Sequence, residues 1–478
     1  MLQEGYDKYR GSAFKVAQFS HWHVVITSPT LIEELYKAHN DELSLLDAVI
    51  EVGYSVSSFV QANHTALEKT LQSDYTISHD IFRDAYHIPI IRTQLTRSLS
   101  TLFDDIRDEL CASFNDAIPL TDEWTKVKAI PAIMRVVCRT SNRIFVGLPL
   151  CRNSDYIDLN TQFTIEVVKA SLILKLFPRF LRKFVAYFIS STPSYIARGV
   201  THLKPLIEER YRKMAEFGDD WDEKPNDLLM WLMEVAQGKE REILPLAIRI
   251  LTMNFAGIHT SSLSFAHALY HLAANPEYLV DLRDEVESIV EKEGWTKASL
   301  RKMRKVDSFL RESQRYNSLG LGALLQVLEI ARESDMSFIL VSTTRLARKD
   351  VRFSDGTFIP SGTYVSVATM PIHRDEGIYD DADVFNPWRF ADMRNEEGEG
   401  FKHQMVTTSI EYMPFGHGKH ACPGRFFAAN ELKGMLAHLV VTYDIKFENE
   451  GVMPKPLQLE IQHIPDPRVE ILFRKRAT

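Results

Sequence analysis

The run Phe415-Gly416-His417-Gly418-Lys419-His420-Ala421-Cys422-Pro423-Gly424-Arg425 decides how this chain is read. It frames a single cysteine with glycines, sets basic residues on both sides and leads straight into a helical run over 426–439. Gly416, Gly418 and Gly424 are expected to take backbone angles closed to other residues and to let a flat ligand approach the main chain. Backbone N–H groups ahead of the helix, with the positive end of its dipole, favour a thiolate at Cys422. A lone cysteine in a glycine-rich loop is more often inert, and only the full spacing reverses that reading.

Outward from this loop, the bulk of the chain narrows the classes available. Its 478 residues carry no Gly/Ser- or Pro-rich linker, low-complexity tract or internal repeat, so 1–478 reads as one large domain. A hydrophobic fraction of 45% and a charged fraction of 25% suit a globular protein with a large core. The net charge of −8 argues against a general nucleic-acid binder, whose footprint is basic. Cys111, Cys138, Cys151 and Cys422 show no paired spacing, which fits a reducing compartment better than a disulfide framework. Zinc is also not expected, since Cys422 has no second Cys or His arranged in the usual ligand spacing.

Helical periodicity dominates the pattern. The stretch 246–274 is long, apolar and free of proline, sized to cross a domain of this mass, and Asn275-Pro276-Glu277 opens a further helix to about Glu293. Strand signals are few. Residues 351–368 alternate around Asp355-Gly356 and Pro360-Ser361-Gly362, as in a small antiparallel meander, and 22–26 and 457–470 read as further strands. His21-Trp22-His23 looks metal-like, but histidines two apart in a strand read as surface residues. The amino terminus shows no signal sequence or anchor, and Tyr6-Asp7-Lys8-Tyr9-Arg10 already reads as the edge of a folded domain.

Two more constellations stand out. Glu312 and Arg315 in Glu312-Ser313-Gln314-Arg315 share a helix face and can pair. On its own such a pair is a solvated bridge worth well under about 1 kcal/mol. Phe385-Asn386-Pro387-Trp388-Arg389-Phe390 raises its weight, because Arg389 among aromatics offers a second guanidinium to the same carboxylate. In Ala256-Gly257-Ile258-His259-Thr260, a mid-helix glycine costs about 1 kcal/mol relative to alanine. Gly257 would let the helix pass close over a ligand or open to admit water, and Thr260 could then donate a proton. His259 reads either as a proton shuttle or as a packed or solvent-facing residue.

A thiolate presented alone on a loop suits an axial bond to haem iron. The pattern Phe415-x-x-Gly418-x-His420-x-Cys422-x-Gly424 closely resembles the haem-binding loop of the cytochrome P450 superfamily. The resemblance runs from Tyr6 onward with motifs in the family's order: oxygen helix, Glu-x-x-Arg, partner arginine, cysteine loop. It implies a mainly α fold with a minor antiparallel β region, and haem b held between the long helix and the cysteine loop. Cys422 would be the iron ligand, with Phe415, Gly418 and His420 around the cofactor. His420 and Arg345 are the first candidates for the haem propionates, followed by His87 and Arg92. Gly257 and Thr260 match the oxygen-activating segment, where the family commonly has an acid in place of His259. Glu312, Arg315 and Arg389 would be structural.

Phe309-Leu310-Arg311-Glu312-Ser313-Gln314-Arg315 and Met370-Pro371-Ile372-His373-Arg374-Asp375 are similar to fungal microsomal members, including ent-kaurene oxidases and other terpenoid hydroxylases. The resemblance therefore implies an O2- and NADPH-dependent monooxygenase acting on an apolar natural product, a terpenoid of secondary metabolism. Electrons would come from a separate NADPH-cytochrome P450 reductase. Rival readings keep the haem but rearrange a peroxide, or describe a catalytically impaired haem-binding protein. Location would be the cytosolic face of the endoplasmic reticulum membrane, although the family's anchor helix is not seen and a cytoplasmic variant also fits. The basic, apolar stretch 170–189 suits a membrane interface. Residues 323–341 exceed the family's usual connection between Arg315 and Arg345, and read as an insertion or as translated non-coding sequence.

Overall fold

The computed structural model describes residues 2–18, 21–44, 77, 81, 84–175, 177, 179–218, 220–317, 344–454, 457–459 and 462–477. The segment 323–341 lies outside these. Helices dominate, and they assemble around Ile243–Ala274, whose 32 residues span roughly 48 Å at 1.5 Å per residue. A long, mostly apolar sequence makes this helix. It is long and apolar enough to cross a bilayer, yet it is enclosed here by Ala129–Phe145, Ser154–Lys175, Thr192–Phe217 and Arg304–Tyr316. Asn275 closes it, and Tyr278–Glu293 follows.

Two large apolar clusters flank this axis. One gathers Phe265, Leu269, Phe309, Leu432 and Leu436, so it joins the second half of the central helix to Arg304–Tyr316 and Arg425–Thr442. The other gathers Leu246, Leu251, Phe163, Leu203 and Leu228 around its first half. The cysteine loop sits between them.

The β structure is small and peripheral. A five-stranded sheet runs Ala13–Gln18, His21–Ile26, Tyr364–Val367, Thr344–Ala347, Leu43–Ser44 in spatial order, with one parallel ladder between His21–Ile26 and Tyr364–Val367 and antiparallel pairing elsewhere. The expected meander over 351–368 is divided. Val351–Arg352 and Phe358–Ile359 form their own hairpin, while Tyr364–Val367 joins the larger sheet because all four of its residues are buried there. Residues 457–470 are likewise not one strand: Leu457–Leu459 pairs with Gln462–Ile464, and the strand that completes a three-stranded sheet is Glu470–Lys475.

His23 corrects the surface reading of His21-Trp22-His23. It is fully buried, hydrogen-bonded to Ser366 on the parallel neighbour, and packed against Tyr364, while Trp22 points outward. Strand alternation divides the two side chains between faces, and only a cross-strand partner in the distant 364–367 segment shows which face is inside. The stretch 170–189 also resolves into two parts, Ser154–Lys175 and Arg179–Ile189. The second carries Phe180, Phe184, Tyr187 and Phe188 on the outside of the molecule.

Candidate active site

Cys422 lies on a loop fastened at its own backbone: its N–H donates to the Phe415 carbonyl at 2.8 Å. Gly416 and Gly418 hold φ of 67° and 64°, where a side chain is strained. Gly424 departs from that expectation with φ −89°, open to any residue. It is the N-cap of Arg425–Thr442. The backbone N–H groups of Gly424 and Arg425 reach the sulfur and, with the charge of Arg425, draw its pKa down. Burial acts first and outweighs them, so the thiol by itself sits above its ordinary value. A metal ion would reverse that balance, since coordination deprotonates a thiol outright.

Across from Cys422 runs the central helix. The two are separated by a cavity of about 410 Å³, lined by Phe415, Cys422 and Gly424 on the loop side and by Ala256, Gly257 and Thr260 on the helix. Leu95, Phe145, Met253, Leu263 and Leu432 make most of the remaining wall apolar, with Ser141, Ser261, Ser264 and Gln314 as its polar points. Gln314 donates to Ser264 at 3.0 Å and accepts from the Tyr412 hydroxyl at 2.8 Å, so both are already held.

The Gly257-Thr260 step is continuous α-helix. A Cβ at Gly257 would meet nothing within 4 Å, so its freedom from a side chain matters only to what occupies the cavity. Thr260 faces the cavity while its hydroxyl donates to the Ala256 carbonyl at 2.8 Å. His259 faces the other way. It is buried, its Nε2 lies 3.1 Å from the Thr161 carbonyl on Ser154–Lys175, and burial pushes its pKa down to about 4. It therefore packs between helices and stays neutral near pH 7, and the structure does not bring it to Thr260's side of the helix.

Basic groups converge at the edge of the cysteine loop. Arg345, almost fully buried on Thr344–Ala347, donates to the Thr344 carbonyl at 3.1 Å, and burial pushes it down to about 10. His420 lies 2.9 Å from Asn40 and is pushed down to about 4 by burial, then by Arg345, Lys419 and Arg92. Arg92 donates to the Lys419 carbonyl at 2.9 Å. Among the described residues none of these four pairs with a carboxylate. A buried guanidinium beside other cations is costly unless an anion joins it, so this corner fits a cofactor's carboxylates. His87 does not belong to it, because its Nδ1 meets Arg249 at 2.9 Å and it is buried there. Lys419 and Asn40 were missed by sequence reasoning. Lys419 lies inside the diagnostic run, whereas nothing local marks Asn40.

Behind the loop, Glu312 and Arg315 are fully buried and joined by two hydrogen bonds of 2.7 Å. Arg389 adds a third at 3.2 Å, and the Asn386 N–H a fourth at 3.0 Å. The guanidinium of Arg315 also donates to the carbonyls of His373, Ala382 and Val384, and that of Arg389 to those of Asp380, Asp381 and Val384. Every charge in this group is hydrogen-bonded.

A lone cysteine on a glycine loop, facing a glycine and a threonine of a central helix across an apolar cavity, is the architecture of a haem-thiolate oxygenase. The chain belongs to the cytochrome P450 family, whose model matches residues 2–326 and 335–473. It is 43% identical over 481 residues to cytochrome P450 monooxygenase 151 of Postia placenta, covering all of this chain and 89% of that protein. Cytochrome P450 monooxygenase CYP512U6 of Ganoderma lucidum is 36% identical, with 87% of that protein covered. Ent-kaurene oxidase P450-4 of Gibberella fujikuroi is 30% identical, also with 87% covered. The chain is thus a cytochrome P450 monooxygenase, an enzyme that needs O2 and a redox partner.

Proposed function

We propose that this chain, working as one catalytic domain, inserts one oxygen atom of O2 into an apolar natural product, a terpenoid of fungal secondary metabolism. The observation that carries the reading is the cavity itself, mostly apolar, with Cys422 on one wall and Thr260 on the other. Similarity to an ent-kaurene oxidase supports the terpenoid class. Haem b, bound through Cys422, would supply oxygen activation, with electrons from NADPH-cytochrome P450 reductase. Phe415 and Gly418 would shape the loop around the ring, and Arg345 and Arg92 would neutralise its propionates, with His420 beside them as a neutral hydrogen-bonding partner. Thr260 holds a hydroxyl proton in reach of the cavity. Gly257 leaves the helix surface bare beside it. Glu312, Arg315 and Arg389 keep the loop's support rigid.

That Thr260 faces the cavity favours oxygenation over peroxide rearrangement, which needs no proton delivered there. The apolar outer face of Arg179–Ile189, with Lys183 beside it, suits shallow contact with a membrane at the endoplasmic reticulum. The reduced, carbon-monoxide-bound spectrum of purified protein tests the centre: a long-wavelength Soret band is expected, and a band of imidazole type would overturn thiolate ligation. Diterpenoid binding should then shift the ferric spectrum, and a response only to polar ligands would remove the substrate class.

A further inference from the structure

Glu431 stands on Arg425–Thr442, the helix that leaves the cysteine loop, between Ala428 and Leu432, which both line the cavity. It is 1% exposed. One carboxyl oxygen accepts from the Ser141 hydroxyl at 2.9 Å, and the other has no partner among the described residues. Ser141 belongs to Ala129–Phe145 and itself lines the cavity. A hydroxyl can donate on one side and accept on the other, so Ser141 connects an otherwise sealed carboxyl to the cavity's contents.

We propose that Glu431, acting through Ser141, exchanges a proton with solvent as an electron enters the site at Cys422, and so ties the site's reduction potential to pH. The balance is one electron from the flavoprotein or a chemical reductant to the iron, and one proton from water to the Glu431 carboxylate, leaving the site's net charge unchanged. The inference rests on the haem-thiolate reading above.

The surroundings leave Glu431 to respond to charge placed in the cavity. Burial pushes its carboxyl up to about 8, opposed only by the Ser141 hydrogen bond. Titratable groups on the packed elements are committed elsewhere or neutral. Cys138, the nearest on Ala129–Phe145, is pushed up to about 12 by burial. Arg139 pairs with Glu109 and Asp116, Lys433 pairs with Asp307 on Arg304–Tyr316, and His438 faces Cys111 on Phe103–Ala117. With no cation beside it among the described residues, an ionised Glu431 feels an added electron nearby as uncompensated repulsion, and takes up a proton.

The test is spectroelectrochemical titration of the haem-loaded protein from mildly acidic to alkaline pH. The expected potential is flat while Glu431 is protonated in both redox states. It then falls above about pH 8, approaching one proton per electron, a tenfold change per pH unit or about 59 mV. Glu431→Gln should be flat throughout and should lack a carboxyl band in the redox-difference infrared spectrum. Ser141→Ala removes a bond that favours the carboxylate, so its break should move to higher pH. A flat wild-type profile, or a slope that survives in Glu431→Gln, overturns the proposal. If Glu431→Gln does not fold, an unmoved break in Ser141→Ala overturns it instead. Absence of the thiolate-type carbon-monoxide band in wild type takes down both readings, whereas its presence without the slope takes down this one alone.

Discussion

Cys422→Ala is expected to abolish the thiolate-type spectrum and all oxygenation, while Ala at Cys111, Cys138 or Cys151 leaves both in place. An unchanged spectrum in Cys422→Ala would remove the ligand assignment. Thr260→Ala should keep haem and substrate binding but divert reducing equivalents to peroxide, since the cavity loses its hydroxyl donor. The orientation of His259 sharpens this. Its ring is held by the Thr161 carbonyl on the far side of the helix, so His259→Gln should leave coupling of NADPH use to product unchanged. Its effects should add to those of Thr260→Ala. Non-additive coupling losses in the double variant would restore a shared relay. The loop around Cys422 was readable because its chemistry is contiguous in sequence. The direction of His259 was not, because helical phase must be fixed by a neighbouring helix before a side chain's destination is known.

Among elements, the interlock of Arg304–Tyr316 with Arg389 shows where spacing suffices and where it fails. Three residues of helix put Glu312 and Arg315 together, and the aromatic frame of Arg389 marked it as buried. The strand residue Arg345 offered no such sign, because its burial depends on packing against Tyr36 and the cysteine loop. Glu312→Ala leaves two buried guanidinium groups without their carboxylate, at about 3–5 kcal/mol, and Arg315→Ala leaves the Glu312 carboxylate with only Arg389 and the Asn386 N–H. Either variant should yield little haem-loaded protein. Normal haem content and thermal stability in both would reduce the interlock to an ordinary bridge. The family match passes over 327–334, inside the 323–341 segment. If that segment is foreign to the working enzyme, transcripts crossing Gly322 and Ser342 should lack it, and an uninterrupted coding message would make it native.

At the scale of the molecule, buried neutral histidines set the acid limit. Burial holds His259 and His438 at about 4 and His271 and His373 at about 3, all below the unfolded value near 6.5. Between those values the unfolded chain binds more protons than the folded one. Folding stability should therefore fall as pH drops from about 6.5 toward 4. A shift to about 4 corresponds to on the order of 3 kcal/mol per group. Urea midpoints measured across this range should decline in wild type and decline less in His259→Gln. A midpoint independent of pH would show that these rings take up protons in the folded protein as readily as in the unfolded chain. The mainly helical architecture was legible from composition and periodicity, because a long apolar helix needs no distant partner to declare itself. The division of the small sheets was not, because strand pairing is decided by segments hundreds of residues apart.

The interlock has an evolutionary corollary. Asn317, hydrogen-bonded to His271 at 2.8 Å, and Thr344, on a strand of the main sheet, are fixed points of the rigid frame. Closing a chain between two fixed points costs little more as it lengthens, about 0.6 kcal/mol for each doubling. Sequence between 317 and 344 can therefore vary in length between relatives at small thermodynamic cost. That freedom makes this interval a place where a lineage can acquire new chemistry without first rebuilding its scaffold.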